Sequence, residues 1–241
     1  MDNLNLFTIG YANKVIEEFI NLLEKYNINC IVDVRSTPYS AQFPDYNANV
    51  IKHTLKSYNI TYLDFSEEFG ARRLDDRDYS SIKLFDDTTV DVVDFKKVWD
   101  NETFLRGVDR IKIGLKKGYN ICFLCGEKYP YDCHRGIMVS EYFFRKGYNI
   151  THIVNDDIDI KHDVLYELEE VKKYFHKCKS VFMKNHEKDV LYSYDLFEMT
   201  TRETADYIKF WFNFFNEITP DKLMFLLNLK IGYKKGGEEN G

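Results

Sequence analysis

The chain has 241 residues, of which 44% are hydrophobic and 30% are charged. This composition is typical of a globular protein that can bury a sizeable core. The length accommodates one large domain, or one domain with a smaller appendage. The net charge of −6 excludes the overall basic character of a typical nucleic-acid binder, although it is compatible with a local basic patch.

Three features of the sequence bear on where the protein resides. It contains no apolar run of about 18 residues, so no membrane span is expected. Its first residues, MDNLNLFTIGYAN, lack the basic start and apolar stretch of a secretory signal. The five cysteines are odd in number and unevenly spread, which favours reduced thiols over a disulfide framework. We therefore expect a cytoplasmic protein.

Short apolar runs alternate with amphipathic segments along the first two thirds of the chain. The apolar runs predict strands at residues 6–9, 30–34, 61–65, 119–124 and 150–154. Apolar residues at helical spacing predict helices at residues 15–26, 47–58, 94–117 and 136–146. This alternation predicts an α/β fold, with a mainly parallel sheet of about five strands flanked by helices.

Two parts of the chain depart from that alternation. The polar stretch 69–91 is predicted to be a long loop, and no further strand is expected after about residue 161. We expect an α/β core domain over residues 1–169 and a helical appendage over residues 170–241 that packs on it. The end of the chain, from about residue 234, has the composition of a disordered tail.

The loop 125–135 carries the densest set of reactive residues. A predicted strand delivers Cys125 to its carboxyl end, and Cys133, His134 and Arg135 follow at the start of the next helix. A helix N-terminus favours an anion and lowers the pKa of a thiol placed there. Arg135 adds a two-pronged donor for phosphate or carboxylate. The alternative is a structural loop in which Cys133 packs in the core and His134 caps the helix.

The cysteines also raise the question of a metal. Cys122 and Cys125 have CxxC spacing, but side chains three apart on a strand point to opposite faces, which disfavours a redox pair or half a zinc site. Cys125, Cys133 and His134 are one possible set of three ligands, depending on the loop geometry. On balance the sequence predicts neither a metal nor a cofactor.

Charged residues also follow the second predicted strand. Asp33 and Arg35 alternate with apolar neighbours, so they point to the same face of that strand. Such a pair is either a buried structural ion pair or part of a site, because charges are rarely buried unpaired. Arg72 and Arg73 form a basic pair in the polar stretch, either as part of a lid or on a solvated loop.

Several short motifs resemble, in order and spacing, those of the domain-of-unknown-function 488 family over about residues 5–160. They are TIGYAN (8–13), VDVRSTP (32–38), FPDYN (43–47), FGARR (69–73), VDF (93–95) and CGEKYPYDCHR (125–135). The resemblance implies an α/β fold but no particular reaction, and loosely adds His162. By motif position it implies a site that includes Asp33, Arg35, Arg72, Arg73, Cys125, Glu127, Lys128, Cys133, His134 and Arg135.

These residues support two functional hypotheses. The first is an enzyme acting on a small anionic, phosphate-bearing ligand, with Cys133 as the reactive thiol, His134 as acid or base, and Arg35 and Arg135 as clamps. In this hypothesis Asp33 either orients a basic partner or holds His134 charged. The second is a non-catalytic module that binds a nucleotide or nucleic acid, although the net charge disfavours nucleic acid. Because parallel strands end at one edge of a sheet, both residue groups are expected in one cleft.

Overall fold

The structure is a computed structural model that describes residues 4–83, 89–130 and 133–163. Its described residues form two compact units, one of residues 4–71 and 99–163 and the other of residues 72–83 and 89–98. The strands are β1 (Asn5–Gly10), β2 (Cys30–Asp33), β3 (Thr61–Asp64), β4 (Tyr79–Lys83), β5 (Thr89–Val93), β6 (Ile121–Cys125), β7 (Asn149–Ile153) and β8 (Asp159–Lys161). The α-helices are α1 (Ile16–Lys25), α2 (Ala48–Ser57), α3 (Ser66–Phe69), α4 (Phe95–Asp100), α5 (Glu102–Lys116) and α6 (Glu141–Arg145).

The first unit is built on a six-stranded sheet in the order β3-β2-β6-β1-β7-β8. The first five of these strands are mutually parallel, and β8 runs antiparallel to β7 at one edge. In the central strand β6 every residue is buried, as expected for a parallel strand covered on both faces. This confirms the predicted α/β fold and the predicted grouping of five strands in one mainly parallel sheet.

Helices α1 and α2 cover one face of this sheet because each has an apolar stripe. In α1 the buried residues are spaced to lie on one side of the helix, and they join the core cluster together with Ile51 and Leu55 of α2. Each helix is followed by an asparagine with positive φ, Asn27 at 52° and Asn59 at 59°. Asparagine tolerates this left-handed conformation, which lets the chain turn directly into the next strand.

The strand register brings the candidate residues to the edge at which the parallel strands end, here called the carboxyl edge. Gly10 at the end of β1 pairs with Cys125 at the end of β6. Asp33 at the end of β2 pairs with Leu124 on the other side of β6. The loops after β1, β2 and β6 therefore leave the sheet at this edge.

The prediction of a long loop over residues 69–91 was wrong. That stretch contains strand β4 and the start of strand β5, which pair antiparallel in a separate two-stranded sheet in the second unit. Polar residues dominate the stretch as a whole, so the alternating valines of β5 (TVDVV) were not recognised as a strand. Hydrogen bonds from Ser81 Oγ to Asp91 Oδ1 (2.5 Å) and from Ser80 Oγ to Asp94 Oδ2 (2.7 Å) join the two sides of the hairpin.

Two further differences concern the end of the described chain. Strand β8 was not predicted, because its three residues are too short to show a periodicity. The predicted helix at 136–146 begins instead with a π-helical turn, Arg135–Ser140, that continues into α6. The predicted helical appendage and disordered tail lie outside the described residues. Within the described part of the chain, no helix is both long and apolar enough to cross a membrane.

Candidate active site at the carboxyl edge

A buried ion pair lies at the end of β2. The Asp33 carboxylate is fully buried, and it accepts from Arg35 Nε (2.9 and 3.1 Å) and from Arg35 Nη2 (2.5 Å). The Tyr62 hydroxyl donates to the same carboxylate at 2.7 Å. Although burial lowers the pKa of Arg35, its bonds to Asp33 outweigh that effect and raise the pKa. Asp33 therefore holds a permanently charged Arg35 in place.

Aromatic residues enclose the Arg35 guanidinium. Nη2 also donates to the Tyr46 carbonyl at 2.8 Å, and the guanidinium carbon lies 5.1 Å from the centre of the Tyr11 ring. The rings of Tyr11 and Tyr46 are stacked, with their centres 4.4 Å apart. The remaining nitrogen, Nη1, is buried and has no hydrogen-bond partner among the described residues. One charged donor is thus enclosed and unused.

A second buried cation, Lys14, follows β1 at the same edge. Only 5% of the residue is exposed, and no described residue accepts a hydrogen bond from its Nζ. Burial lowers the pKa of Lys14 to about 8; Glu18 opposes this effect, whereas the charges of Arg135 and Lys128 add to it. Its backbone carbonyl accepts from the Tyr46 hydroxyl at 3.2 Å. Tyr46 therefore contacts both Lys14 and Arg35.

A cluster of thiols and imidazole follows β6. The ligand atoms of Cys125, Cys133 and His134 all lie within 4.8 Å of one another, and all three residues are buried. Cys125 Sγ lies 3.8 Å from His134 Nδ1 and 3.3 Å from Glu127 Oε2. His134 is nine positions after Cys125 in the sequence, yet its imidazole lies at the end of β6 beside both thiols.

The hydrogen bond on the far side of the His134 ring fixes its orientation. Nε2 lies 2.7 Å from the backbone carbonyl oxygen of Val34, so Nε2 carries a proton and donates it. In the neutral ring, Nδ1 is then the unprotonated nitrogen, and it faces the thiols. This bond also joins the β6 loop to the residue between Asp33 and Arg35.

The two thiols respond differently to burial. Burial raises the pKa of Cys133, but the Cys125 thiol and the charge of Arg135 outweigh that effect and lower it well below its usual value. Burial and the neighbouring Cys133 raise the pKa of Cys125. Burial, followed by the charge of Cys133, raises the pKa of the Glu127 carboxyl to about 6. The pKa shifts of the two thiols are thus opposite in direction, and Cys133 is the thiol that loses its proton more readily.

Arg135 is held by hydrogen bonds to the loop after β6 and to β1. It is fully buried, and its Nη1 and Nη2 donate to the backbone carbonyls of Glu127 (2.7 Å) and Lys128 (3.0 Å). Its Nε donates to Thr8 Oγ1 at 3.3 Å. Gly10 permits this arrangement, because a Cβ there would overlap the Glu127 carbonyl oxygen. Three of its five N–H groups therefore already donate to the protein, and its role as a ligand clamp stays a prediction.

The helix start offers less to an anion than the sequence indicated. The amide groups of Gly136 and Ile137 both donate to the Cys133 carbonyl, at 3.0 and 3.1 Å. They are therefore bonded within the π-helical turn. Turns of this kind are frequent at functional sites, but this one keeps its first amides occupied.

The two residue groups share an edge but lie on opposite faces of the sheet. Asp33 pairs with Leu124, and neighbouring strand residues alternate between faces, so Asp33 and Cys125 point to opposite sides. Asp33 holds Arg35 and Tyr62, and its predicted catalytic role stays a prediction. Val34 and Tyr11 connect the two sides, the latter because its hydroxyl lies beside Gly126. A single shared cleft stays a prediction.

A chain of buried side chains extends from Arg135 through the interior. Thr8 Oγ1 lies 2.8 Å from His152 Nδ1, His152 Nε2 lies 2.9 Å from His162 Nδ1, and His162 Nε2 lies 2.8 Å from Glu141 Oε2. Arg135 can only donate and an ionised Glu141 can only accept, so every bond in this chain runs in one direction. We call Thr8, His152, His162 and Glu141 the buried relay.

The remaining predicted site residues are less closely tied to the site. Arg73 forms a buried ion pair with Asp78 (2.8 Å) in the second unit, and Arg72 is exposed on that unit. Lys128 contributes its backbone carbonyl to Arg135, while its ammonium lies 5.1 Å from the centre of the Tyr129 ring. Participation of Arg72, Arg73 and Lys128 in binding stays a prediction.

Several residues at the edge were missed from the sequence. Lys14 directly follows the motif at 8–13, and Tyr46 lies inside the motif at 43–47. Their positions in the sequence could therefore have identified them as candidate site residues. Tyr62, Thr8 and His152 lie on strands whose apolar pattern gave no reason to single them out. Their partners are distant in the sequence, which is why only the fold reveals them.

A family comparison covers the part of the chain that carries most of these motifs. A family model described as "Domain of unknown function DUF488" matches residues 15–142, more than half of the chain, and confirms the resemblance seen in the motifs. No curated protein and no solved structure matches the chain. The matched range spans β2, β6 and both loops that carry the candidate residues, and the chain belongs to the DUF488 family.

Proposed function

We propose that this protein binds a small anionic, phosphate-bearing ligand at the carboxyl edge, with Arg35 as its principal contact. The observation that carries the proposal is the unused nitrogen of Arg35: Nη1 is buried and without a hydrogen-bond partner among the described residues. An unsatisfied buried donor costs about 1–3 kcal/mol, and more when it is charged, so a ligand that accepts from it gains that amount.

The surroundings of Arg35 favour an anion over a neutral ligand. Asp33 balances one positive charge, but Lys14 lies nearby without a hydrogen-bond acceptor among the described side chains. A phosphate group offers several acceptor oxygens and suits the planar geometry of a guanidinium. Because Nη1 is enclosed, we expect binding to require movement of a covering side chain.

The thiol cluster at the same edge favours an enzyme over a non-catalytic module. Cys125, Cys133 and His134 form a buried, chemically reactive group next to the β2 loop, to which His134 is bonded. Buried reactive groups of this kind are more common at catalytic sites than at surfaces that only bind. In this proposal the ligand is held from the Arg35 side and is acted on from the cluster.

The test is calorimetric titration of the full chain with inorganic phosphate and with pyrophosphate. Arg35→Lys keeps the charge beside Asp33 but removes the second terminal nitrogen. We expect this variant to bind about tenfold more weakly, a loss of about 1.4 kcal/mol.

The chain offers a matched control in Arg77. Arg77 pairs with Asp75 two residues earlier, with Nε–Oδ1 at 3.0 Å and Nη2–Oδ2 at 2.7 Å, and it is exposed. Arg77→Lys therefore makes the same chemical change in the same local pairing outside the proposed site. Equal effects of the two substitutions, or no binding of either anion by the wild-type chain, would contradict the proposal.

A further inference from the structure

We propose that Cys125, Cys133 and His134 bind a zinc ion through two sulfur atoms and one nitrogen. The sequence alone predicted no metal, because the geometry of the loop between the cysteines could not be read from it. The fold brings all three ligand atoms within 4.8 Å of one another. Ligands around a tetrahedral zinc are separated by a comparable distance, since Zn–S is about 2.3 Å and Zn–N about 2.0–2.1 Å.

The hydrogen bond of His134 supports a metal at Nδ1. A histidine that binds a metal almost always donates its other ring N–H to a carboxylate or a backbone carbonyl, which fixes the ring and raises its basicity. His134 makes that bond to Val34 at 2.7 Å, which leaves Nδ1 directed at Cys125 Sγ, 3.8 Å away. The ring is therefore already oriented for coordination.

The ligand set selects the class of metal. Two thiolates and one imidazole suit a borderline-soft ion such as Zn²⁺, whereas Mg²⁺ and Ca²⁺ prefer oxygen ligands. Arg135, buried beside the cluster and bonded to the Glu127 and Lys128 carbonyls, adds a positive charge that offsets the second thiolate. The remaining described cysteines, Cys30 and Cys122, do not belong to the cluster.

The count of three ligands indicates a site with an open position. Structural zinc sites are usually closed by four protein ligands, and catalytic sites keep the fourth position for water or substrate. Glu127 Oε2 lies 3.3 Å from Cys125 Sγ, so a carboxyl group borders the proposed ligands. A carboxyl at this distance is suited to exchange a proton with a molecule held at the open position.

The experiment uses metal-depleted, full-length protein titrated with Zn²⁺ and, separately, with Co²⁺. We expect one equivalent to bind per chain, and the cobalt form to show thiolate-to-cobalt charge-transfer absorption in the near ultraviolet. Cys133→Ser should weaken binding by more than about 100-fold, beyond the loss typical of removing an outer-shell partner. Cys30→Ser and Cys122→Ser alter buried thiols outside the cluster and should leave the affinity and the absorption band unchanged.

A second measurement on the wild-type chain covers the case in which Cys133→Ser does not fold. X-ray absorption of the zinc-loaded protein should show two sulfur ligands and at least one nitrogen. Absence of sulfur ligands, or equal loss of the cobalt band in the three cysteine variants, would overturn the proposal. A chain that binds no metal but forms a disulfide between Cys125 and Cys133 would overturn it as well.

The experiments distinguish failure of the zinc proposal from failure of the anion-binding proposal. Arg35→Lys should lose phosphate affinity and keep the cobalt band, because Arg35 contributes no metal ligand. Cys133→Ser should lose the band and keep phosphate binding. Loss of both properties in Cys133→Ser, with an unchanged circular dichroism spectrum, would show that the anion contacts the metal.

Discussion

Two buried cations at the carboxyl edge differ in how their charges are stabilised. Arg35 has a carboxylate partner in Asp33 and stays charged, whereas Lys14 has no hydrogen-bond acceptor among the described residues. Desolvation penalises the charged form of a buried lysine, so Lys14 loses its proton more readily than an exposed lysine does. The pKa of Lys14 falls from 10.5 to about 8 for this reason.

We predict that Lys14→Met changes the pH dependence of stability. In the unfolded chain Lys14 keeps its proton up to about pH 10.4, whereas in the folded chain it loses that proton near pH 8. Between these values the unfolded state binds more protons, so this residue makes stability rise with pH. The wild-type free energy of unfolding should therefore rise relative to that of Lys14→Met from pH 8 to pH 10.

Urea denaturation at several pH values measures this difference. Lys52, exposed on α2, provides the control, because Lys52→Met should follow the wild-type curve. Parallel curves for wild type and Lys14→Met would show that Lys14 is not desolvated in the folded protein.

At the level of elements, the buried relay joins β1 to three elements near the end of the sheet unit, α6, β7 and β8. Thr8 lies on β1, His152 on β7, and His162 directly after β8, while Glu141 begins α6. Each histidine donates once and accepts once, so every polar atom of both rings is satisfied. The relay therefore ties the short edge strand β8 and helix α6 to the strand beneath Arg135.

Removing the middle of the relay should be costly. His152→Leu leaves the Thr8 hydroxyl proton without an acceptor and His162 Nδ1 without its donor, which we expect to lower the free energy of unfolding by about 2–4 kcal/mol. His53→Leu, on an exposed position of α2, should change it by less than about 0.5 kcal/mol. Chemical denaturation at neutral pH measures both, and similar effects of the two substitutions would contradict the assigned bonds.

His152→Leu should also change the pH dependence of the free energy of unfolding. Burial, together with the neighbouring His162, lowers the pKa of His152 well below its usual value. As the pH falls below about 6.5, the unfolded chain takes up a proton at this residue before the folded chain does, so stability falls. That part of the acid dependence should be missing in His152→Leu.

For the whole molecule, strand order determines which parts open first. Strand β1 has parallel neighbours on both sides, as does β6, whereas β3 and β8 lie at the edges of the six-stranded sheet. Local opening is easiest where a segment has few partners, and the core strands open only with global unfolding. Strands β4 and β5 form a separate sheet that has no third strand among the described residues.

We predict a corresponding order of amide hydrogen exchange. Peptides from β1 and β6 should exchange last, those from β3 and β8 earlier, and those from the hairpin earlier still. Native-state exchange followed by mass spectrometry measures this order. If β8 or the hairpin were protected from exchange as strongly as β1, that segment would open only with global unfolding, and the predicted order would be wrong.

The sequence by itself determined the features of this protein that depend on local spacing. Apolar runs and helical stripes were sufficient for the α/β fold and its five parallel strands, because burial on both faces dictates those patterns. The spacing of Asp33 and Arg35 placed both side chains on one face of β2, since strand residues alternate with period two. Motif order was sufficient for the family.

Only the tertiary structure decided what each of these residues contacts. It assigned Arg135 to backbone carbonyls, left Nη1 of Arg35 without a partner, and placed the Asp33 pair and the thiol cluster on opposite faces of the sheet. It also joined Thr8 to His152, which lies 144 residues away in the sequence. Such contacts depend on strand register and loop path, and a slip of one residue would reverse the face of every side chain in a strand.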